Sequence, residues 1–281
     1  MSFRINASDI DVYADITEPV GVNGMSYETE IAGMARLGVD KAAACRSHRI
    51  KTIVGGMQAG AYVGIGIILI MTLGASAPES VRGLIMGSAF GLALILVVIA
   101  GAELFTGYNL YTAIAIRHDS LSLSQAAQAN VQIFLSNLAG ALLLVLIYWV
   151  GKGGLTHSAD TEFVQAVAVK KMHLDAPALI ARGALCNWLV CLALWMTQRV
   201  NSDSAKCIVI AWCLLAFIAC GFEHSVANMT VHLLALFGPE NAQVSIFGAS
   251  RNLLWVTIGN VLGGAVFVGM AYSSQYVKSD T

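Results

Sequence analysis

The chain has 281 residues, of which 57% are hydrophobic and 12% are charged, and its formal net charge is −1. Soluble domains carry roughly 25% charged residues, so this composition predicts an integral membrane protein. A net charge near zero provides no basic surface for a nucleic acid, so no nucleic-acid partner is expected.

The first fifty residues are polar and are expected to form a cytoplasmic N-terminal segment, residues 1–50. Within this segment, "YETEIAGMARLGVDKAAACR" (Tyr27–Arg46) places apolar side chains at helical spacing with charges between them. The pattern predicts an amphipathic helix that lies against the cytoplasmic membrane face or against the protein's own underside. Residues before about Tyr27 are expected to be loop-like.

Six apolar segments follow, each close to the length of about twenty residues that a membrane-spanning helix needs. The segments are Thr52–Gly74, Val81–Glu103, Ala126–Val150, Ala176–Trp195, the interrupted Cys207–Phe222 with Ser225–Phe237, and Leu253–Tyr272. They predict an all-α membrane domain, residues 51–275, followed by a tail, residues 276–281. Six crossings place both termini on one side. Ten of the sixteen Lys and Arg residues lie on that side, so both termini and the tail are expected in the cytoplasm.

Four short sequence matches recur between the two halves of the membrane domain, in the same order and at offsets of 119 to 123 residues. The pairs are Gly60-Ala61 with Gly183-Ala184, Gly101-Ala-Glu103 with Gly221-Phe-Glu223, Asn109 with Asn228, and Asn137-Leu-Ala-Gly140 with Asn260-Val-Leu-Gly263. Three helices therefore repeat as three helices. Because three is odd, the second copy must cross in the opposite sense. The predicted fold is an inverted 3+3 repeat in which two interrupted helices, the second and the fifth, meet near the midplane.

Glu103 and Glu223 end the apolar halves of the two interrupted helices. The polar stretches "ELFTGYN" and "EHSVAN", which begin at these glutamates, are expected to be irregular. Non-helical backbone at membrane depth survives only where protein or a water-filled cavity satisfies its hydrogen bonds. The two breaks are therefore expected to face each other across a pore or substrate site.

The polar residues at the two breaks allow functional and structural interpretations. His224 can act as a proton donor or hydrogen-bond donor at the narrowest polar part of the path, or as a core histidine satisfied by a backbone carbonyl. Glu103 and Glu223 can relay protons, but their equivalent positions favour a structural role, in which they accept hydrogen bonds from the unwound backbone. The hydroxyl groups of Thr106 and Ser225 are expected to cap the helices that resume there.

The matching Asn109 and Asn228 are expected to support the two helix breaks. Apolar side chains can form a constriction or serve as ordinary packing residues, and these are Phe90, Leu94 and Phe217. Lys170 and Lys171, in the loop before the fourth segment, can attract anions or stay solvated.

An enzyme is not expected. Glu223, His224 and Ser225 are adjacent, so their side chains point in different directions and cannot form a base, an orienting group and a nucleophile. The sequence contains neither an HExxH motif nor a Cys/His cluster. The six cysteines include no CxxC pair and lie mostly in apolar stretches, as buried small hydrophobes do. No metal and no cofactor are therefore expected.

At the two breaks the sequence resembles the formate/nitrite transporter family. The stretches "GAELFTG" (Gly101–Gly107) and "GFEHSVANM" (Gly221–Met229) are similar to the two family signatures at its two broken helices. The resemblance runs from about Gly55 to Tyr272 and includes "MQAGAYVGIGIILI", "RGALCNWLVCLALW" and "NLLWVTIGNVLGG". These stretches look closer to the nitrite channels of the family than to its formate channels.

The resemblance implies a homopentamer of aquaporin-like protomers in the bacterial inner membrane, each with its own pore through the lipid bilayer. It implies His224 as the pore histidine, with Thr106 and Asn187 beside it, and Lys171 as the lysine of the outer vestibule. It also implies apolar constrictions on either side of the histidine, formed by Phe90, Leu94, Leu104 and Phe217. Glu223 matches the acidic residue that precedes the histidine.

The expected function is therefore a channel for nitrite and other small monovalent weak-acid anions. A formate or hydrosulfide channel of the same family is the main alternative, and a subunit that conducts nothing is another. An aquaporin-like channel for neutral solutes should show two Asn-Pro-Ala motifs, but Leu follows Asn109 and Met follows Asn228.

Overall fold

The computed structural model describes residues 26–118 and 120–275. These residues form helices joined by short connections, with no β-strand among them. The helices are α1 (Tyr27–Ser47), α2 (Arg49–Ser76), α3 (Glu79–Ala100), α4 (Phe105–Arg117), α5 (Leu123–Val150), α6 (Gly154–His157), α7 (Asp160–His173), α8 (Ala176–Gln198), α9 (Asp203–Ala219), α10 (Ser225–Phe237) and α11 (Ile246–Ser273). Residues 262–270 of α11 are π-helical. The loop-like stretch expected before Ser26 and the expected tail 276–281 lie outside the described residues.

The expected amphipathic helix is present as α1. The hydroxyl of Ser26 accepts a hydrogen bond from the backbone N–H of Thr29 and caps the first turn. The apolar face, which includes Ile31 and Met34, is buried and packs against α4. Two positions were expected for this helix, against the membrane face or against the protein itself, and α1 packs against the protein itself.

Five of the described helices are long and apolar enough to cross a membrane, namely α2, α3, α5, α8 and α11. They coincide with the expected first, second, third, fourth and sixth segments. The fifth segment is divided into α9, with 17 residues, and α10, with 13 residues. The expected interruptions of the second and fifth segments are both present.

The interruptions are shorter than expected. The stretches "ELFTGYN" and "EHSVAN" were expected to be irregular, and this expectation is wrong for most of their length, because α4 begins at Phe105 and α10 at Ser225. Irregular backbone is confined to residues 101–104 and 220–224. Gly101 and Gly221 end the preceding helices with φ of 78° and 69°, a left-handed conformation that favours glycine.

Close backbone contacts hold the unbroken helices together. Gly60 on α2 faces the backbone of Asn137 on α5, and Gly140 on α5 faces the backbone of Met57, so that a Cβ atom at either glycine would overlap main-chain atoms. The pair α8 and α11 has the same kind of contact, where Gly259 faces the carbonyl of Ile180. Small residues permit such close packing between membrane helices, where lipid provides no hydrophobic driving force.

The broken helices pack between these two pairs. Helices α3 and α9, the halves before the breaks, pack against each other, while α4 packs on the π-helical part of α11 and α10 packs on α5. The breaks consequently lie in the middle of the protein.

The prediction of a loop before the fourth segment is wrong, because Lys170 and Lys171 lie in the last turn of α7.

Candidate functional site

Asn137 satisfies the backbone of the first break. Its Nδ2 atom donates hydrogen bonds to the carbonyl oxygens of Gly56 (2.8 Å) and Glu103 (2.9 Å). Its Oδ1 atom accepts a hydrogen bond from the backbone N–H of Phe105 at 2.9 Å. One amide side chain therefore holds both sides of the break and ties them to α2.

Asn260 makes the same three contacts at the second break. Its Nδ2 atom donates to the carbonyl oxygens of Gly183 (2.8 Å) and Glu223 (2.9 Å), and its Oδ1 atom accepts from the backbone N–H of Ser225 (2.8 Å). Neither asparagine was expected in the site from the sequence. The signal was present in the repeat of Asn137-Leu-Ala-Gly with Asn260-Val-Leu-Gly, since an amide is the side chain that can both donate and accept.

Glu103 and Glu223 were expected to accept hydrogen bonds from the unwound backbone, and this expectation is wrong. Their carboxylates bind side chains instead. Lys41 of α1 lies 2.6 Å from Glu103 Oε2, and Lys171 of α7 lies 2.9 Å from Glu223 Oε1. Asn228 also donates to Glu223 Oε2 at 2.6 Å. The matching Asn109 is buried, and its Nδ2 atom has no hydrogen-bond partner among the described residues.

The helix cap at the second break is His224, not a hydroxyl group. The Nδ1 atom of His224 accepts a hydrogen bond from the backbone N–H of Ala227 at 3.1 Å. The expectation that Ser225 and Thr106 cap these helices is therefore wrong. The hydroxyl of Ser225 has no partner in the described part of the chain, and the hydroxyl of Thr106 lies 3.1 Å from the Nε2 atom of His224.

These contacts determine which nitrogen of His224 carries the proton. Because Nδ1 accepts a hydrogen bond from a backbone N–H, it is unprotonated. The neutral ring therefore carries its hydrogen on Nε2, which donates to Thr106 Oγ1. The imidazole is 4% exposed, and it presents a single donor toward the other break.

His224 lies beside a small central void between two larger cavities. The void has a volume of about 10 Å³ and is lined by Val63, Phe90, Ala93, Leu94, Leu104, Val190, Leu214, Phe217 and His224. One cavity, the Lys41 vestibule, has a volume of about 310 Å³ and contains Lys41 and Glu103. The other, the Lys171 vestibule, has a volume of about 380 Å³ and contains Lys171 and Glu223.

The apolar residues singled out by the sequence separate the void from the vestibules. Leu94 and Leu104 line both the void and the Lys41 vestibule, whereas Phe217 and His224 line both the void and the Lys171 vestibule. Phe90 lines the void and packs edge-to-face against Phe217, with ring centroids 5.5 Å apart. The arrangement is a polar cavity, an apolar wall of two leucines, a small void, and a second polar cavity that shares the ring of Phe217 and the imidazole of His224 with the void.

Asn187 lies behind Thr106 rather than on the void itself. Its Nδ2 atom donates to the backbone oxygen of Asn260 at 2.7 Å and to that of Thr106 at 3.3 Å. The thiol of Cys191 donates to the same oxygen of Thr106. Asn187 is fully buried, and its contacts tie the first turn of α4 to Asn260, the residue that satisfies the second break.

Charge differs between the void and the Lys171 vestibule. The vestibule is lined by four cationic side chains (Arg82, Lys170, Lys171, Arg182) and two carboxylates (Glu79, Glu223). Excess positive charge on a concave surface raises the local concentration of anions.

Among the described residues, no group of three or more His, Cys, Asp or Glu is arranged to hold a metal ion.

Comparison with known proteins gives consistent matches. A family model described as formate/nitrite transporter matches residues 29–274. The nitrite transporter NirC of Escherichia coli (strain K12) is 49% identical over 219 residues, which cover 78% of this chain and 81% of that protein. A solved FNT family ion channel has a TM-score of 0.86 and 44% identity, over 89% of this chain and 99% of that one. A pentameric formate channel with formate bound has a TM-score of 0.73 and 31% identity, over 82% and 98% of the two chains.

Proposed function

The chain belongs to the formate/nitrite transporter family, whose members are transporters and not enzymes, and we propose that it is a channel for nitrite. Nitrite and other small monovalent weak-acid anions pass through the central void, beside His224. The observation that carries this proposal is one hydrogen-bond donor, His224 Nε2, on a ring that lines both the void and the Lys171 vestibule, with an apolar wall between the void and the Lys41 vestibule.

The apolar walls set the energetic problem that the channel must solve. An anion that leaves water for an apolar constriction loses hydration free energy of several kcal/mol or more. A barrier increase of about 1.4 kcal/mol slows passage tenfold. The cationic Lys171 vestibule offsets part of this cost by concentrating anions at the mouth, an effect that salt weakens.

His224 offsets the remaining cost inside the void. Its Nε2–H donates to Thr106 at rest and is available to an anion that enters. Transfer of a proton to the anion requires the imidazolium, and therefore a hydrogen on Nδ1, which would displace the hydrogen bond from Ala227. The geometry therefore favours the hydrogen-bond donor over the proton donor, with Thr106 returning the ring to its resting contact after the anion leaves.

The void is narrow in this conformation. Its volume of about 10 Å³ is about that of one water-sized probe sphere. A triatomic anion therefore passes only when the side chains of the walls move, and Leu94, Leu104 and Phe217 are the ones that close the void on its two sides.

The proposed architecture is six crossings in an inverted 3+3 repeat, with α3–α4 and α9–α10 as the second and fifth. The matching contacts of Asn137 and Asn260 support this repeat, because identical hydrogen bonds recur at both breaks. The proposed domains are a cytoplasmic segment at 1–50, the channel at 51–275 and a cytoplasmic tail at 276–281. The location is the bacterial inner membrane, with both termini in the cytoplasm.

The proposed assembly is a homopentamer in which each protomer has its own pore. The likeness to a pentameric formate channel supports it. Nitrite is preferred to formate as the substrate because the relative named nitrite transporter is 49% identical, whereas the formate channel is 31% identical. Formate remains the second candidate, since the same void and walls suit any small monovalent anion.

The test is flux into proteoliposomes that contain the purified channel. Nitrite is measured alone and in competition with formate and with hydrosulfide across a pH range, for the wild type and His224→Asn. We expect nitrite to be carried and its flux to fall in the variant at every pH, because the variant lacks the imidazole Nε2–H. A matched change at the exposed His48 should leave the flux unaltered. Equal flux of the wild type and the variant at each pH would contradict the role of His224. The absence of nitrite flux in the wild type would contradict the substrate.

A further inference from the structure

A closed ring of hydrogen bonds begins in the wall of the Lys171 vestibule, which Lys171, Glu223 and Asn228 line, and extends behind it to Asn252. Lys171 Nζ donates to Glu223 Oε1 (2.9 Å), and Glu223 Oε2 accepts from Asn228 Nδ2 (2.6 Å). Asn228 Nδ2 also donates to Asn252 Oδ1 (2.9 Å), and Asn252 Nδ2 donates to the backbone oxygen of Lys171 (2.9 Å). The ring thus begins and ends at Lys171, and it joins α7 to α10 and α11.

His232 on α10 donates into this ring from outside it. Its Nε2 atom lies 2.9 Å from Asn252 Oδ1, and the side chain is 2% exposed. Because an amide oxygen can only accept, Nε2 must carry the hydrogen. Nδ1 of the neutral ring is then unprotonated, and it has no partner among the described residues. The pore mechanism described above does not use this buried histidine.

The orientation of the Asn252 amide depends on its two donors. Its Oδ1 atom faces donors from Asn228 and His232, while its Nδ2 atom faces the carbonyl of Lys171. Rotation of the amide by half a turn would set N–H groups against both donors and an oxygen against the carbonyl. Without His232, only Asn228 opposes that rotation on the oxygen side.

We infer that His232 is a positioning residue for Lys171. By holding the Asn252 amide in one orientation, it secures the backbone of Lys171, and through Asn228 it keeps Glu223 against the ammonium group. The position of the cationic mouth therefore depends on a side chain that never meets the anion. This inference rests on the proposed function, since Lys171 is the residue that attracts the small anion.

The first test is His232→Ala in proteoliposomes, with flux measured over a range of nitrite and salt concentrations. Loss of one hydrogen bond should raise the half-saturation concentration about fivefold, leave the maximal rate nearly unchanged, and weaken the salt dependence of half-saturation. His232→Gln retains an N–H donor and should restore the wild-type values. His173→Ala removes an exposed histidine from the same helix as Lys171 and serves as the matched control.

A double-mutant cycle with Lys171→Gln separates positioning from a general packing role. If His232 acts through Lys171, adding His232→Ala to Lys171→Gln should change neither half-saturation nor salt dependence further. Additive effects, or a fall in the maximal rate of His232→Ala and His232→Gln alike, would overturn the inference.

The role of His232 can be tested even if the channel does not carry nitrite. If the wild type carries formate or hydrosulfide but not nitrite, the nitrite proposal fails and the cycle is run with the anion that is carried. If no anion is carried, ¹⁵N NMR of histidine-labelled channel reads the ring directly. We expect a neutral, Nε2-protonated ring whose signal disappears in His232→Gln. A charged or Nδ1-protonated ring would overturn the inference independently of transport.

Discussion

His224 Nε2 and Thr106 Oγ1 lie 3.1 Å apart, although the two residues are 118 positions apart in the chain. Each lies at the start of a helix that resumes after a break, so the contact joins the two halves of the protein at the void. Because Nδ1 of the same ring caps α10, one nitrogen of the imidazole is committed to structure, and the other is the donor that the proposed channel uses.

Thr106→Val should tighten anion binding and slow turnover. The variant leaves Nε2–H without its resting acceptor, so an entering anion no longer competes with the hydroxyl. We expect half-saturation for nitrite to fall about fivefold, corresponding to about 1 kcal/mol for one hydrogen bond, with a lower maximal rate. Thr106→Ser keeps the hydroxyl and should resemble the wild type. Equal kinetics of Thr106→Val and Thr106→Ser would contradict a competition between the Thr106 hydroxyl and the anion for the Nε2–H of His224.

Asn137→Ala and Asn260→Ala should each destabilise the protein by about 1–3 kcal/mol or more, because each leaves buried backbone groups unpaired. Asn137→Asp should not rescue the loss, since a carboxylate cannot donate to the carbonyls of Gly56 and Glu103. Thermal unfolding in detergent measures the effect, and the exposed Asn201→Ala serves as the control. Similar melting temperatures for all four variants would show that the breaks do not need these amides.

Gly140→Ala and Gly33→Ala should change stability in opposite directions. A Cβ at Gly140 overlaps the carbonyl of Met57, whereas a Cβ at Gly33 on α1 meets nothing within 4 Å. Overpacking costs about 1–3 kcal/mol, and alanine in place of glycine in an open helix position gains up to about 1 kcal/mol. The same unfolding assay compares them, and a gain in stability at Gly140 would be incompatible with the close approach of α2 and α5.

Tyr27 should anchor the start of α1 through its ring and not through its hydroxyl. The ring packs edge-to-face on Trp195 with centroids 5.4 Å apart, and the guanidinium of Arg199 lies 5.1 Å from its centroid. Arg199 also pairs with Glu30 at 2.8 Å. Tyr27→Ala should therefore increase hydrogen exchange across α1, while Tyr27→Phe should not, because the buried hydroxyl has no hydrogen-bond partner among the described residues.

The same residue predicts a loss of α1 docking in strong alkali. Burial, chiefly, raises the pKa of Tyr27 from 10.0 to about 12, so the docked state binds the proton more tightly than the undocked state. The protonated hydroxyl of Tyr27 makes its full contribution to the free energy of docking below pH 10. This contribution falls by up to about 1.4 kcal/mol per pH unit as the pH rises from 10 toward 12. Hydrogen exchange of α1 between these limits should increase in the wild type and stay flat in Tyr27→Phe, relative to a helix such as α5.

Much of the helical order followed from composition and spacing. The helix at Tyr27, the five long apolar helices and both interruptions were predicted, because apolar length and the positions of Glu103 and Glu223 are local features of the chain. The bounds of the irregular stretches were not predicted correctly. Whether Phe105 or Ser225 is helical depends on hydrogen bonds from Asn137 and Asn260, which lie more than thirty residues away.

The candidate site was predicted by residue type more than by contact. His224, Thr106 and the apolar residues around them were named from the motifs, and Thr106 lies beside His224 as expected. Other contacts were assigned wrongly. Hydroxyl capping was the expectation, whereas the imidazole is the cap. The glutamates were expected to bind backbone, whereas they bind Lys41 and Lys171 on helices α1 and α7, the second of which was read as a loop.

The amino-acid order alone indicated a membrane protein with two broken helices, because apolar length, the scarcity of charge and the repeated motifs are local features of the sequence. Its resemblance to a transporter family at those breaks indicated transport. Only the tertiary structure decided how the ends of those helices are satisfied and which nitrogen of His224 faces the void. A hydrogen bond at the buried break has a choice of several chemically similar partners, and that choice is made by which side chains the packing of distant helices brings within about 3 Å.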